Sequence, residues 1–106
     1  MTDKRLMLTT ASSTDEANAI ATELVSRRLA ACVNIVGPIS SIYHWQGEVE
    51  RSEEFLLLIK STEAQTLPVQ EAIRELHSYQ IPELICLTIE SGLESYLNWI
   101  AISVRK

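Results

Sequence analysis

Four residues of this 106-residue chain offer thiolate or imidazole to a metal: Cys32, Cys86, His44 and His77. Such groups bind copper and zinc well, and a closed tetrahedral site takes four of them. No Cys-x-x-Cys or His-x-x-x-His spacing occurs, so the fold, or several copies of the chain, would have to gather them. Cys32 follows Ala30-Ala31 at the start of an extended run, where a cysteine commonly serves as a small buried hydrophobe. Glu48, Glu50, Glu53 and Glu54 crowd a second extended run, with Glu50 and Glu54 on one face and Glu53 on the other. A charged strand end that resists edge-to-edge pairing accounts for most of these carboxylates. No Ser/His/Asp order, glycine-rich phosphate loop or activated cysteine is visible, so dedicated catalysis is not expected.

A third group is Tyr43, Trp45, Lys60, His77, Tyr79 and Glu83. Tyr43 and Trp45 share one strand face and could close a pocket between subunits; plain oligomer packing uses such aromatics equally well. His77, Tyr79 and Glu83 flank an irregular turn, where functional groups concentrate. Lys60 can pair with a carboxylate or hold an anion. Together these residues make the chain's best small-molecule site.

The elements that must position them read clearly. Arg5 to Ala11 is a short apolar strand. Ser13 and Glu16 have capping-box spacing, and Ala17, Ile20, Ala21, Leu24, Val25 and Leu29 then recur on one helical face. Arg27 and Arg28 suit the negative pole of that helix. Cys32 to Lys60 folds back at Gln46-Gly47-Glu48 as a long hairpin, interrupted at Gly37-Pro38, and returns through the apolar run Phe55 to Ile59 expected of a central strand. Thr62 and Gln65 form a second capping signature before a helix bearing Leu67, Val69, Ala72, Ile73 and Leu76, with Pro68 placing its regular start near Thr66. Leu84 to Glu90 is the fourth strand. A last helix carries Leu93, Tyr96, Leu97, Trp99, Ile100 and Val104.

Strand, helix, strand, strand, helix, strand is the ferredoxin-like α+β pattern, βαββαβ with an antiparallel sheet, here with an extra C-terminal helix. The first and third strands fall at the centre, and Cys32 and Cys86 fall on opposite edges, too far apart to bridge. A strand of ~14 residues spans ~45 Å, whereas a compact domain of this length is only about 33 Å across. The outer hairpin, with Tyr43, His44 and Trp45, therefore calls for a partner, most simply another copy of the chain meeting it at an edge strand.

Composition sets the outer limits. One domain over residues 1–106 is expected. The net charge is −5, with 46% hydrophobic residues; a nucleic-acid backbone is repelled and no basic cluster offsets that. No signal-peptide h-region or ~20-residue apolar span is seen, so no membrane partner and a cytoplasmic location with reduced thiols are expected.

Four segments, in this order, resemble the CutA family of divalent-cation tolerance proteins. They are Leu29-Ala30-Ala31-Cys32-Val33-Asn34-Ile35, Ser41-Ile42-Tyr43-His44-Trp45-Gln46-Gly47, Glu53-Glu54 through Lys60-Ser61-Thr62, and His77-Ser78-Tyr79-Gln80-Ile81-Pro82-Glu83-Leu84. The resemblance implies a tight homotrimer with interlocked hairpins, a link to copper and other divalent cations, and no enzymatic activity. It makes His77 and Cys32 the candidate metal ligands. A PII-like small-molecule sensor, with Tyr43, Trp45, Lys60, His77, Tyr79 and Glu83 around a pocket between subunits, is the alternative. Two departures stand out: Ser78 occupies the place of a proline usual in the family, and Thr9 and Leu76 replace a cysteine and a histidine found in some relatives.

Overall fold

A sheet of order β2-β3-β1-β4 organises the chain, seen in a computed structural model that describes residues 2–106. The strands are β1 (Lys4–Ala11), β2 (Cys32–Trp45), β3 (Glu48–Thr62) and β4 (Ile85–Thr88), with helices α1 (Thr14–Ser26), α2 (Thr66–Leu76) and α3 (Glu94–Ser103). All pairings are antiparallel. The topology is the expected ferredoxin-like one, with β1 and β3 central. The fourth strand is shorter than Leu84 to Glu90, pairing with β1 only from Ile85 to Thr88.

Alternation along the central strands sets the core. Met7, Leu57 and Ile59 are completely buried, with Ile20 and Leu24 of α1 and Val69 and Ile73 of α2. Val25, expected on the buried face of α1, is exposed, and Leu29 lies beyond the helix yet is buried in the same core. A second, smaller cluster joins α3 (Leu97, Ile100) to Ala31 and Val104.

Local chemistry explains the helix ends. Ser13 Oγ accepts from the Glu16 N–H at 3.1 Å. The reciprocal half of the expected capping box is shifted by one residue, because Glu16 Oε1 accepts from Ser12 N–H at 2.9 Å. Thr62 makes no side-chain cap; Gln65 instead donates to the Arg105 carbonyl at 2.8 Å. Pro68 is harmless because it sits in the first turn of α2, where its missing N–H has no helical partner. Arg28 does not serve α1: its guanidinium donates to the Ile102 and Ser103 carbonyls, at the negative end of α3.

The hairpin turns on Gln46 (φ 51°) and Gly47 (φ 83°), two left-handed residues that match the strand twist. The register shifts between Val36 and Ile39, at the Gly37-Pro38 interruption; a side chain at Gly37 would run into the Phe55 ring. With strands of 14 and 15 residues, the chain reaches 44 Å along its long axis but only 25 and 22 Å across. Beyond Ile39 the hairpin has little cover: Ile42, Tyr43, Trp45 and Val49 are all exposed.

Candidate functional site

The segment from His77 to Leu84 links α2 to β4, and a chain of hydrogen bonds pins it to the end of the sheet. The His77 side chain is fully buried. One ring nitrogen, Nδ1, accepts from the Tyr79 N–H at 3.1 Å, so Nε2 carries the proton that it donates to the Thr10 carbonyl at 2.6 Å. Ser78 N–H donates to Glu16 Oε2 at 2.8 Å. Thr9 Oγ1 donates to the Glu83 carbonyl at 2.6 Å. Finally, the Tyr79 hydroxyl donates to Glu54 Oε2 at 2.6 Å. The loop is thus tied to β1, to the start of α1 and to β3.

Two ionisation states follow. Partial burial opposes the charge on Glu16, but hydrogen bonds from Ser78 and Ser12 outweigh it and hold the carboxyl down at about 2. Burial, and next the Glu54 carboxylate that takes its hydrogen bond, push the Tyr79 phenol well above its ordinary range. Tyr79 is therefore a fixed proton donor to Glu54 and not a proton shuttle near neutrality.

Between this loop and the outer half of the hairpin lies a cavity of about 500 Å³, lined by Thr10, Ser41, Ile42, Tyr43, Trp45, Glu54, Tyr79, Gln80, Ile81 and Glu83. Of the six residues expected to form a pocket, Tyr43, Trp45, Tyr79 and Glu83 line it. His77 stands behind the wall, its ring 4.6 Å from that of Tyr79. Lys60 is elsewhere: it pairs with Cys32 across the strands and its ammonium contacts Asn34 Oδ1. Glu54 was legible in the sequence only as one of a run of carboxylates. It is 7% exposed, and no periodicity distinguishes it from Glu50 on the same strand face, which is exposed.

The fold does not bring His77 and Cys32 together. Cys32 lies opposite Lys60, which lies opposite Leu6, while His77 bonds to Thr10, four residues further along β1, or ~13 Å of strand. Cys32 and Cys86 are both free, on β2 and β4 at opposite edges of the sheet, and Cys32 is half-buried rather than buried. Among the described residues no three His, Cys, Asp or Glu side chains converge as a metal site would require. No helix is long and apolar enough to cross a membrane.

A ferredoxin-like sheet whose long β2-β3 hairpin overhangs its helices, with a cavity beside the outer hairpin, defines a narrow class of small α+β protein. The model of the CutA1 divalent ion tolerance protein family matches residues 5–103, and the chain belongs to that family. The divalent-cation tolerance protein CutA of Thermus thermophilus is 44% identical over 97 residues, covering 92% of this chain and 94% of that one. The solved structure of the Thermus protein superposes with a TM-score of 0.94 at 42% identity, covering 96% of this chain and 99% of that one. The Archaeoglobus fulgidus structure gives 0.93 at 36% identity, with 96% and 99% covered, and that protein is described as periplasmic. A Xenopus laevis CutA homolog is 44% identical over 84 residues, which span 79% of this chain but 56% of the longer relative.

Proposed function

We propose that the chain works as a single-domain homotrimer in the cellular response to divalent cations, and that it does so as a ligand-binding protein rather than an enzyme, from the cytoplasm. The observation that carries the ligand-binding reading is the cavity between the outer hairpin and the His77–Leu84 loop. It has a rigid wall on one side, pinned through His77, Tyr79 and Glu83. Its other wall is the exposed aromatic pair Tyr43 and Trp45. Pockets of 300–1,000 Å³ with apolar walls and a few fixed polar groups are the usual form of small-molecule sites.

The trimer is supported by the resemblance and by uncovered apolar surface. Val36, Ile85 and Leu87 are about half exposed, as are Tyr43 and Trp45, and two sheet edges, β2 and β4, lack a neighbour. Closed rings satisfy such edges. A direct copper site built on His77 and Cys32 draws no support from the geometry, because both His77 nitrogens already serve the backbone.

The test is a thermal-shift screen of metabolites and metal salts, with the molar mass followed by light scattering. A specific stabiliser of the wild-type trimer, lost in Trp45→Ala, is expected. A wild-type protein of single-chain mass, or one that no compound stabilises, overturns the reading.

A further inference from the structure

We infer that the cavity beside the outer hairpin takes an organic cation, an amine or quaternary ammonium group, held between aromatic rings and the carboxylates of Glu54 and Glu83. The inference rests on the proposal that this cavity is a ligand site, and it names the ligand's chemistry.

Three observations converge. The first is charge: both ionisable carboxylates of the lining are acidic and no Lys, Arg or His lines the cavity, in a chain of net charge −5. The second is Glu54 itself. Only 7% of it is exposed, and its hydrogen-bond partner among the described residues, the Tyr79 hydroxyl, engages Oε2 alone. Glu54 lines the cavity, and a largely buried carboxylate there attracts an incoming N–H or a positive charge. The third is the wall: Tyr43, Trp45 and Tyr79 present aromatic rings to the same space, and ring faces attract organic cations. A hard metal ion is poorly served by such a wall, since it needs six or more oxygen ligands.

The geometry also explains the phenol. With its proton committed to Glu54, Tyr79 fixes the carboxylate at the cavity wall. Glu83, exposed and anchored through its backbone by Thr9, supplies a second negative charge at the rim.

The test compares choline with 3,3-dimethyl-1-butanol, its neutral carbon isostere, by titration calorimetry in phosphate buffer, since amine buffers are themselves candidate ligands. Choline is expected to bind the wild-type protein at least about tenfold more tightly than the isostere, the discrimination a desolvated cation–π contact with a carboxylate provides. Glu54→Gln, which still accepts from Tyr79, should lose about tenfold of choline affinity and leave the isostere unchanged; Glu83→Gln should do the same more weakly. Equal affinities for the two compounds would overturn the cation inference and leave the pocket standing. No binding of either compound overturns the cation inference, and the thermal-shift screen decides the pocket separately.

Discussion

The two faces of the sheet differ in what one chain can provide for them. On one face Met7, Leu57 and Ile59 are sealed beneath α1 and α2 with nothing left exposed. The opposite face carries Leu6, Leu8, Leu56 and Leu58 by alternation, and these are only half-buried. Val36, Ile85 and Leu87 beside them are about half exposed. Glu54 and Thr10, which line the cavity, belong by the same alternation to this second face. The covered face is finished within the chain; the other is apolar surface of a kind that marks an interface. The site of proposed function lies where the finished and unfinished halves meet, so assembly and ligand binding share residues.

The sharpest way to break this comparison is to charge the unfinished face. Leu58→Asp should abolish the proposed trimer, dropping the mass by light scattering to a single chain, while far-UV circular dichroism keeps the helices that cover the other face. A buried unpaired carboxylate at an interface costs several kcal/mol in each of three protomers. A Leu58→Asp protein that remains a trimer would place the interface elsewhere.

On the pinned side the effect should be smaller and of a different kind. His77→Ala strands the buried Thr10 carbonyl and Tyr79 N–H, a loss of about 3 kcal/mol in unfolding free energy. It should leave the mass unchanged. Copper titrated into wild type and His77→Ala by calorimetry should give the same isotherm, because the ring has no free nitrogen to offer; a copper signal lost with His77 would show that the loop opens to bind metal.

What the sequence made legible follows the same division. Elements with repeated local signals were readable: the alternation of β1, the apolar run of β3, the 3.6-residue periods of the helices, the Gln46-Gly47 turn. The arm's excess length could be read because strand length is arithmetic. The cavity was half readable, since aromatics and a polar turn announce themselves by type. Glu54, Ser41 and Ile42 did not, because their membership depends on which strand face meets the His77–Leu84 loop, distant in sequence, and Ile81 within that loop gives no signal by type. His77 misled for the reverse reason: imidazole is an excellent ligand by type, and only the fold reveals that the backbone has taken both nitrogens. Arg28 and Gln65 were likewise assigned to their nearest helix, when their partners lie at the far C-terminal end of the chain.

The smallest expected effect tests the hydrogen bond that Ser78 makes to Glu16. Ser78→Pro deletes the N–H that reaches Glu16, yet His77 before it has φ −82° and ψ 142°, the geometry a residue before proline prefers. A lost hydrogen bond to a charged group costs about 1.5–3 kcal/mol. The stiffer unfolded chain returns about 0.4–1 kcal/mol, so a net loss of about 1 kcal/mol is expected at neutral pH. The pH dependence identifies its source. Glu16 titrates at about 2 in the folded protein against 4.5 ordinarily. Its depressed value means that its stabilisation is complete above about pH 4.5 and is lost as pH falls toward 2. Without the Ser78 donor the folded value rises, and less stability remains to be lost on that limb. The difference between wild type and Ser78→Pro, followed by urea unfolding from pH 7 to pH 2.5, should therefore shrink as acid is added. A constant difference across that range would mean that the loop is held by its backbone shape and that Glu16 contributes nothing through Ser78.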